Sequence, residues 1–236
     1  MTATRWVCLD IGETLIDETR IWSVWADVLG IPRFTFMAVL GGVITRGGDH
    51  REAFAALGVD DWSQREPEVQ QAYGGFTAGD LYPDALPALD ALRAGGHHVA
   101  VIGNQPANRT AELGLLGLRA DVLAMSDALG VAKPDPAFFA RCCELLETTP
   151  GQVAYVGDRV DNDVEPAAAA GMRAVWLRRG PWGSLHRDGS GAAALTVRSL
   201  AELCERIDEA WAPHAEPSPG PGSSGPGLPS AAQRVQ

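Results

Sequence analysis

The sequence has almost no lysine: Lys133 is the only one, beside 18 arginines. Positive charge is scarce altogether, with 19 Lys and Arg against 30 Asp and Glu and a formal net charge of −11. Phosphate-backbone binding needs clustered basic residues, so this balance excludes a broad nucleic-acid surface and disfavours docking on an anionic membrane. No run approaches ~18 uninterrupted apolar residues, so no transmembrane helix is expected. The N-terminus enters a strand-like segment within a few residues, with no basic-then-apolar leader, and a cytoplasmic protein is expected. Cysteine is sparse too. Cys8, Cys142, Cys143 and Cys204 include no C-x-x-C pair and read as buried free thiols, not as a metal or redox site.

At 236 residues the chain suffices for one sizeable core with a small insert. Five short apolar runs read as strands: 6–9, 99–102, 122–125, 153–156 and 174–177. Most are continuous rather than alternating, the pattern of strands covered on both faces. Helical patterns accompany them. Residues 85–94 carry Leu86, Leu89 and Leu92 at helical spacing and end at Gly95 and Gly96. Residues 136–146 gather Phe138, Phe139, Cys142, Leu145 and Leu146, with Asp135 as cap and Pro136 opening the helix. This alternation predicts an α/β fold, a doubly wound, Rossmann-like parallel sheet. About 65 residues between Thr14 and Asp80 are too many for a loop. Their apolar spacing, Ile21 to Val28, Phe34 to Val43 and Ala53 to Leu57, predicts a small helical insert over the sheet. The expected organisation is a core of residues 1–15 and 80–211, an insert of 16–79, and a disordered Pro-, Gly- and Ser-rich tail of 212–236.

In open parallel sheets the ligand crevice lies beyond the carboxyl ends of the strands. There this chain places Asp10, then Gly103 and Asn104, then Lys133, then Asp158 and Asp163. Clustered carboxylates repel one another unless a cation joins them, and an all-oxygen set suits Mg²⁺ with a substrate phosphate. Taken singly, each Asp also reads as a helix cap or solvated loop residue; their arrival at one sheet edge favours the site. The lone Lys133 marks a place where a point-like ammonium is needed and a planar guanidinium does not substitute.

Three motifs in this order resemble the haloacid dehalogenase-like (HAD) hydrolase superfamily: D-x-x-x-T-L from Asp10 to Leu15, K-P-D-P-x-x-F from Lys133 to Phe139, and V-G-D-x-x-x-N-D from Val156 to Asp163. The resemblance spans roughly residues 5 to 211 and makes the helical insert a cap domain. It implies a Mg²⁺-dependent hydrolase of a small phosphorylated metabolite. Asp10 would attack phosphorus to give an aspartyl-phosphate, and Lys133 would neutralise Asp10 and the phosphoryl oxygens. Asp10, Asp158, Asp163 and the Gly12 carbonyl would hold the metal, and Gly103 and Asn104 would bind phosphate.

Two positions depart from the pattern. The family's phosphatases carry a second Asp, the general acid, where this chain has Gly12, and Ser or Thr where it has Gly103. Glu13, beside Gly12, is a candidate replacement for that acid, though a solvated turn residue is the favoured reading. His50, in the insert, is a weak candidate contact with solvation the favoured reading, and His97 and His98 read as surface residues at the opposite end of the sheet. Two other functions compete: a catalytically degenerate member that binds a phosphorylated ligand or a protein partner, and a metal-free haloacid dehalogenase, against which the retained Asp158 and Asp163 speak. Oligomeric state and substrate identity are not legible.

Overall fold

The computed structural model describes residues 4–186 and 191–212. The expected tail lies, from residue 213 onward, outside them. A single sheet carries six parallel strands: β1 (Trp6–Leu9), β2 (His98–Gly103), β3 (Val122–Met125), β4 (Val153–Gly157), β5 (Arg173–Leu177) and β6 (Leu195–Val197), in the order β3-β2-β1-β4-β5-β6. The five expected strands are all present. The sixth, at the edge, was not anticipated: it is three residues long with Thr196 exposed. Leu9 faces Val101 on one side and Val156 on the other, so β1 is central and the strand order reverses between β1 and β4. Ligand crevices open at such a switch point.

The apolar runs are continuous because both faces of the sheet are covered. Val7 and Leu9 pack on one side with Leu89 and Leu92 of α5 (Ala85–Ala94), Leu113 of α6 (Arg109–Leu115), and Leu200 and Leu203 of α11 (Leu200–Arg206). Cys8 points the other way, into Phe138, Phe139 and Cys142 of α8 (Pro136–Leu145) and Ala167 of α9 (Glu165–Ala169). The Asp135 carboxylate caps α8 by accepting the Ala137 N–H at 2.8 Å. A short helix α7 (Ser126–Leu129) follows β3.

The segment after β1 is helical, as expected: α1 (Thr19–Val28), α2 (Arg33–Thr45), α3 (Glu52–Ala56) and α4 (Glu66–Tyr73). Trp25, Phe36, Leu40, Ile44 and Phe54 form a third hydrophobic cluster, which Trp182 of α10 (Gly180–Leu185) joins from the sheet side. At the base of this segment Arg20 donates to both oxygens of buried Asp80, at 2.7 and 2.6 Å, and to the carbonyls of Tyr73 and Gly75. Cys8, Cys142 and Cys143 are buried free thiols and Cys204 is half-buried. His97 is not a surface residue: its ring stacks on Trp211 at 5.9 Å, whereas His98 opens β2 with an exposed side chain. Among the described residues no single helix is long and apolar enough to cross a membrane.

Candidate active site

Asp10 is the first residue past β1, held in line by its N–H donating to Val156 O at 2.9 Å. The chain then turns tightly, with the N–H groups of Leu15 and Ile16 both returning to Ile11 O at 2.9 Å. Glu13 takes the left-handed conformation in this turn (φ 50°). It is buried, not solvated. Its Oε1 accepts the Glu18 N–H at 3.0 Å and its Oε2 accepts the Tyr82 hydroxyl at 2.6 Å. Burial raises the Glu13 pKa against these two bonds. Arg179 ties the same turn to the sheet, donating to Thr14 O at 3.0 Å and pairing with Asp84.

After β4 the chain makes one π-helical turn, Val160–Val164, before α9. Such turns are rare and concentrate at functional sites. This one folds Asp163 back beneath Gly157, where a Cβ on residue 157 would sit 2.6 Å from the Asp163 Cβ, so only glycine fits without a shift. Asp163 is fully buried; its Oδ2 accepts the Arg159 N–H at 3.0 Å. Asp158 is fixed through its carbonyl, which accepts the Trp176 indole N–H at 3.0 Å.

Lys133 joins the two strand ends. Its ammonium lies 2.7 Å from Asp10 Oδ1 and 2.6 Å from Asp163 Oδ1. Burial disfavours its charge, but Asp10 and Asp163 outweigh that and hold its pKa above the ordinary lysine value. Asn104 is turned toward the Lys133 backbone: its Oδ1 accepts the Lys133 N–H at 2.8 Å and its Nδ2 donates to the Lys133 carbonyl at 2.9 Å. Gly103 leaves room for the nucleophile candidate, because a Cβ there would overlap Asp10 Oδ1.

Asp10, Asp158 and Asp163 each offer a carboxylate oxygen within 4.8 Å of the others. Of these three buried carboxylates the Lys133 ammonium pairs with two, Asp10 and Asp163. Asp158 bears the imbalance: burial, then Asp163 and Asp10, push its pKa well above the usual carboxylate range, and its buried Oδ2 has no hydrogen-bond partner among the described residues. An orphaned oxygen beside uncompensated negative charge is what a hard divalent cation satisfies, so these residues fit Mg²⁺.

The site opens into a cavity of about 470 Å³ whose far wall comes from the helical segment: Trp22, Asp49, His50 and Arg51, with Trp182 of α10. His50 is half-buried rather than solvated, edge-on to Trp22 and Trp182 at 5.6 and 6.4 Å, and burial lowers its pKa. Arg51 pairs with Asp49 at 2.6 Å and Arg159 with Asp161 at 2.6 Å, so both guanidinium groups at the rim are partnered. Sequence reasoning missed Glu18, which also lines the cavity. Desolvation, then Glu13 and Asp10, push its pKa up to about 8. No motif spacing marks Glu18; only the fold brings it to Gly12.

The chain is similar to several known proteins. Over 104 residues the chain is 36% identical to a glyceraldehyde 3-phosphate phosphatase of Methanopyrus kandleri, covering 43% of this chain and 45% of that protein. A plasmid-encoded phosphoglycolate phosphatase of Cupriavidus necator is 33% identical over 132 residues, 55% of this chain and 54% of that protein. The chain thus spans about half the length of these curated relatives. The crystal structure of a HAD phosphatase from Thermococcus onnurineus superposes with a TM-score of 0.58 at 26% identity, covering 86% of this chain and 98% of that one. Residues 4–171 match the haloacid dehalogenase-like hydrolase family, and the chain belongs to it.

Proposed function

We propose that this protein is a Mg²⁺-dependent phosphatase of a small phosphorylated metabolite, acting through an aspartyl-phosphate on Asp10. The observation that carries the reading is the convergence of Asp10, Asp158 and Asp163 at the switch point of the sheet, with the Lys133 ammonium on Asp10 and Asp163. Lys133 approaches Asp10 at Oδ1, 2.7 Å away, and Oδ2 would attack phosphorus. The same ammonium offsets charge on the transferring phosphoryl oxygens, the electrostatic assistance such a reaction needs. Asp158, with Asp10 and to a lesser degree Asp163, would hold Mg²⁺, which when bound supplies charge neutralisation to the phosphoryl group. Gly103 and the Asn104–Lys133 clamp would shape the phosphate pocket. The helical segment acts as a cap, its Trp22, His50 and Arg51 closing the cavity over a small substrate. Relatives named for glyceraldehyde 3-phosphate, phosphoglycolate and phosphoserine support that substrate class.

The test is phosphate release from a panel of two- and three-carbon phosphomonoesters, with Mg²⁺ and with EDTA. Metal-dependent turnover of at least one is expected. Absence of turnover across the panel, with phosphate binding retained, would favour a degenerate binding protein.

A further inference from the structure

The family pattern places the leaving-group acid two residues after the nucleophile, where this chain has Gly12. The space beside Gly12 is nevertheless filled by a carboxyl group. A Cβ built on residue 12 would lie 3.0 Å from Glu18 Cδ and 3.6 Å from Oε2, and would overlap Oε1. Glu18 therefore puts its carboxyl where a residue-12 side chain would project, and it lines the same cavity as Asp10, Lys133 and Asp158. We propose that Glu18, reaching in from the start of α1, is the general acid–base of this site. The inference rests on the phosphatase reading above.

The placement is built, not incidental. The Glu18 N–H is fastened to Glu13 Oε1 at 3.0 Å, and Glu13 is fastened in turn to Tyr82 at 2.6 Å. Glu13 is thus a positioning residue, fixing the start of α1 against the turn that carries Asp10. Among the described residues no salt bridge occupies the Glu18 carboxyl, and the Trp22 side chain is its polar neighbour on the cavity wall.

The chemistry balances with these groups. An Asp10 carboxylate oxygen attacks phosphorus, and the bond from phosphorus to the leaving oxygen breaks with its electron pair on that oxygen. The Glu18 carboxyl proton transfers to it, releasing the alcohol and leaving a Glu18 carboxylate. Water then attacks phosphorus of the aspartyl-phosphate and gives a proton to Glu18. The bond from phosphorus to Asp10 breaks, and inorganic phosphate, the Asp10 carboxylate and the Glu18 carboxyl result.

The experiment compares p-nitrophenyl phosphate, whose leaving oxygen barely needs a proton, with glycerol phosphate, whose alkoxide does. Both are assayed with Mg²⁺ in wild type, Glu18→Gln and the double variant Gly12→Asp/Glu18→Ala. Glu18→Gln should lose about 10²- to 10⁴-fold on the alkyl ester and less than about tenfold on the aryl ester. The double variant should recover alkyl turnover, because removing the Glu18 carboxyl clears room for an acid on residue 12. Gly12 is not in the left-handed region, so that Asp carries no backbone strain. The ratio of the two rates within one sample does not depend on the folded fraction, so partial misfolding cannot mimic the result. Equal losses on both esters, or unchanged alkyl turnover, overturn the role of Glu18. A wild type inert on both esters and on every ester of the panel above overturns the phosphatase reading and this one with it.

Discussion

Replacing Lys133 with methionine removes a charge and little volume, so its effect measures what the ammonium does. The Lys133 side chain is 1% exposed and reaches Asp10 and Asp163 at 2.7 and 2.6 Å. Its loss strands those carboxylates with Asp158, whose pKa is already driven up by burial and by both of them. Deleting one partner of a buried ion cluster costs about 3–5 kcal/mol. At about 2–4 °C per kcal/mol for a domain of this size, the melting temperature should fall by roughly 6–20 °C. Circular dichroism melts and urea titrations in EDTA measure this. Asp163→Asn in the Lys133→Met background should restore part of the loss, with a coupling of about 1–3 kcal/mol. Mg²⁺ should stabilise Lys133→Met more than wild type, because the carboxylates then lack any other counter-charge. A Lys133→Met protein within about 1 kcal/mol of wild type, or strictly additive single and double variants, would refute the reasoning.

Two further outcomes follow from individual contacts. Asp158→Ala should weaken Mg²⁺ binding by tenfold or more in calorimetric titration while Asp163→Ala, already engaged by Lys133, does less; unchanged affinity in Asp158→Ala would remove it from the metal site. At the base of the helical segment, burial opposes the Asp80 charge but the Arg20 and Thr77 hydrogen bonds outweigh it, holding its pKa below the ordinary value. Its contribution is therefore present above the unfolded pKa of about 3.9 and is lost as pH falls through the lower folded value. Asp80→Asn should cost about 1.5–3 kcal/mol at neutral pH and flatten the acid limb of the stability profile; an unaltered acid limb in urea titrations would contradict this.

The parts of the molecule visible in the sequence are those with a local signature. Apolar runs covered on both faces located five strands, and helical spacing with caps located α5 and α8 almost to the residue. Edge strand β6 escaped because three residues carry no periodicity, and α4 because its sequence, EPEVQQAY, is mostly polar. Within the site, the carboxylates and Lys133 were legible because each closely follows a strand or stands alone in composition. What the sequence hides is where side chains turn. Asn104 clamps the Lys133 backbone, Glu13 is buried against Tyr82, and Glu18 fills the space beside Gly12, a relation fixed by the tight turn after β1. For the same reason the favoured solvated reading of His50 failed and its weaker reading as a candidate contact fits better, since it lines the cavity beside Trp22 and Trp182, the latter far away along the chain.

Covalent catalysis by Asp10 is tested most directly by trapping. Wild type mixed with p-nitrophenyl phosphate and Mg²⁺, quenched in acid within a turnover and digested, should yield the Asp10 peptide heavier by one phosphoryl group. Hydroxylamine should discharge that adduct, and Asp10→Asn should form none. A wild type that hydrolyses the ester without ever carrying phosphate on Asp10, or an Asp10→Asn protein with full turnover, would contradict it.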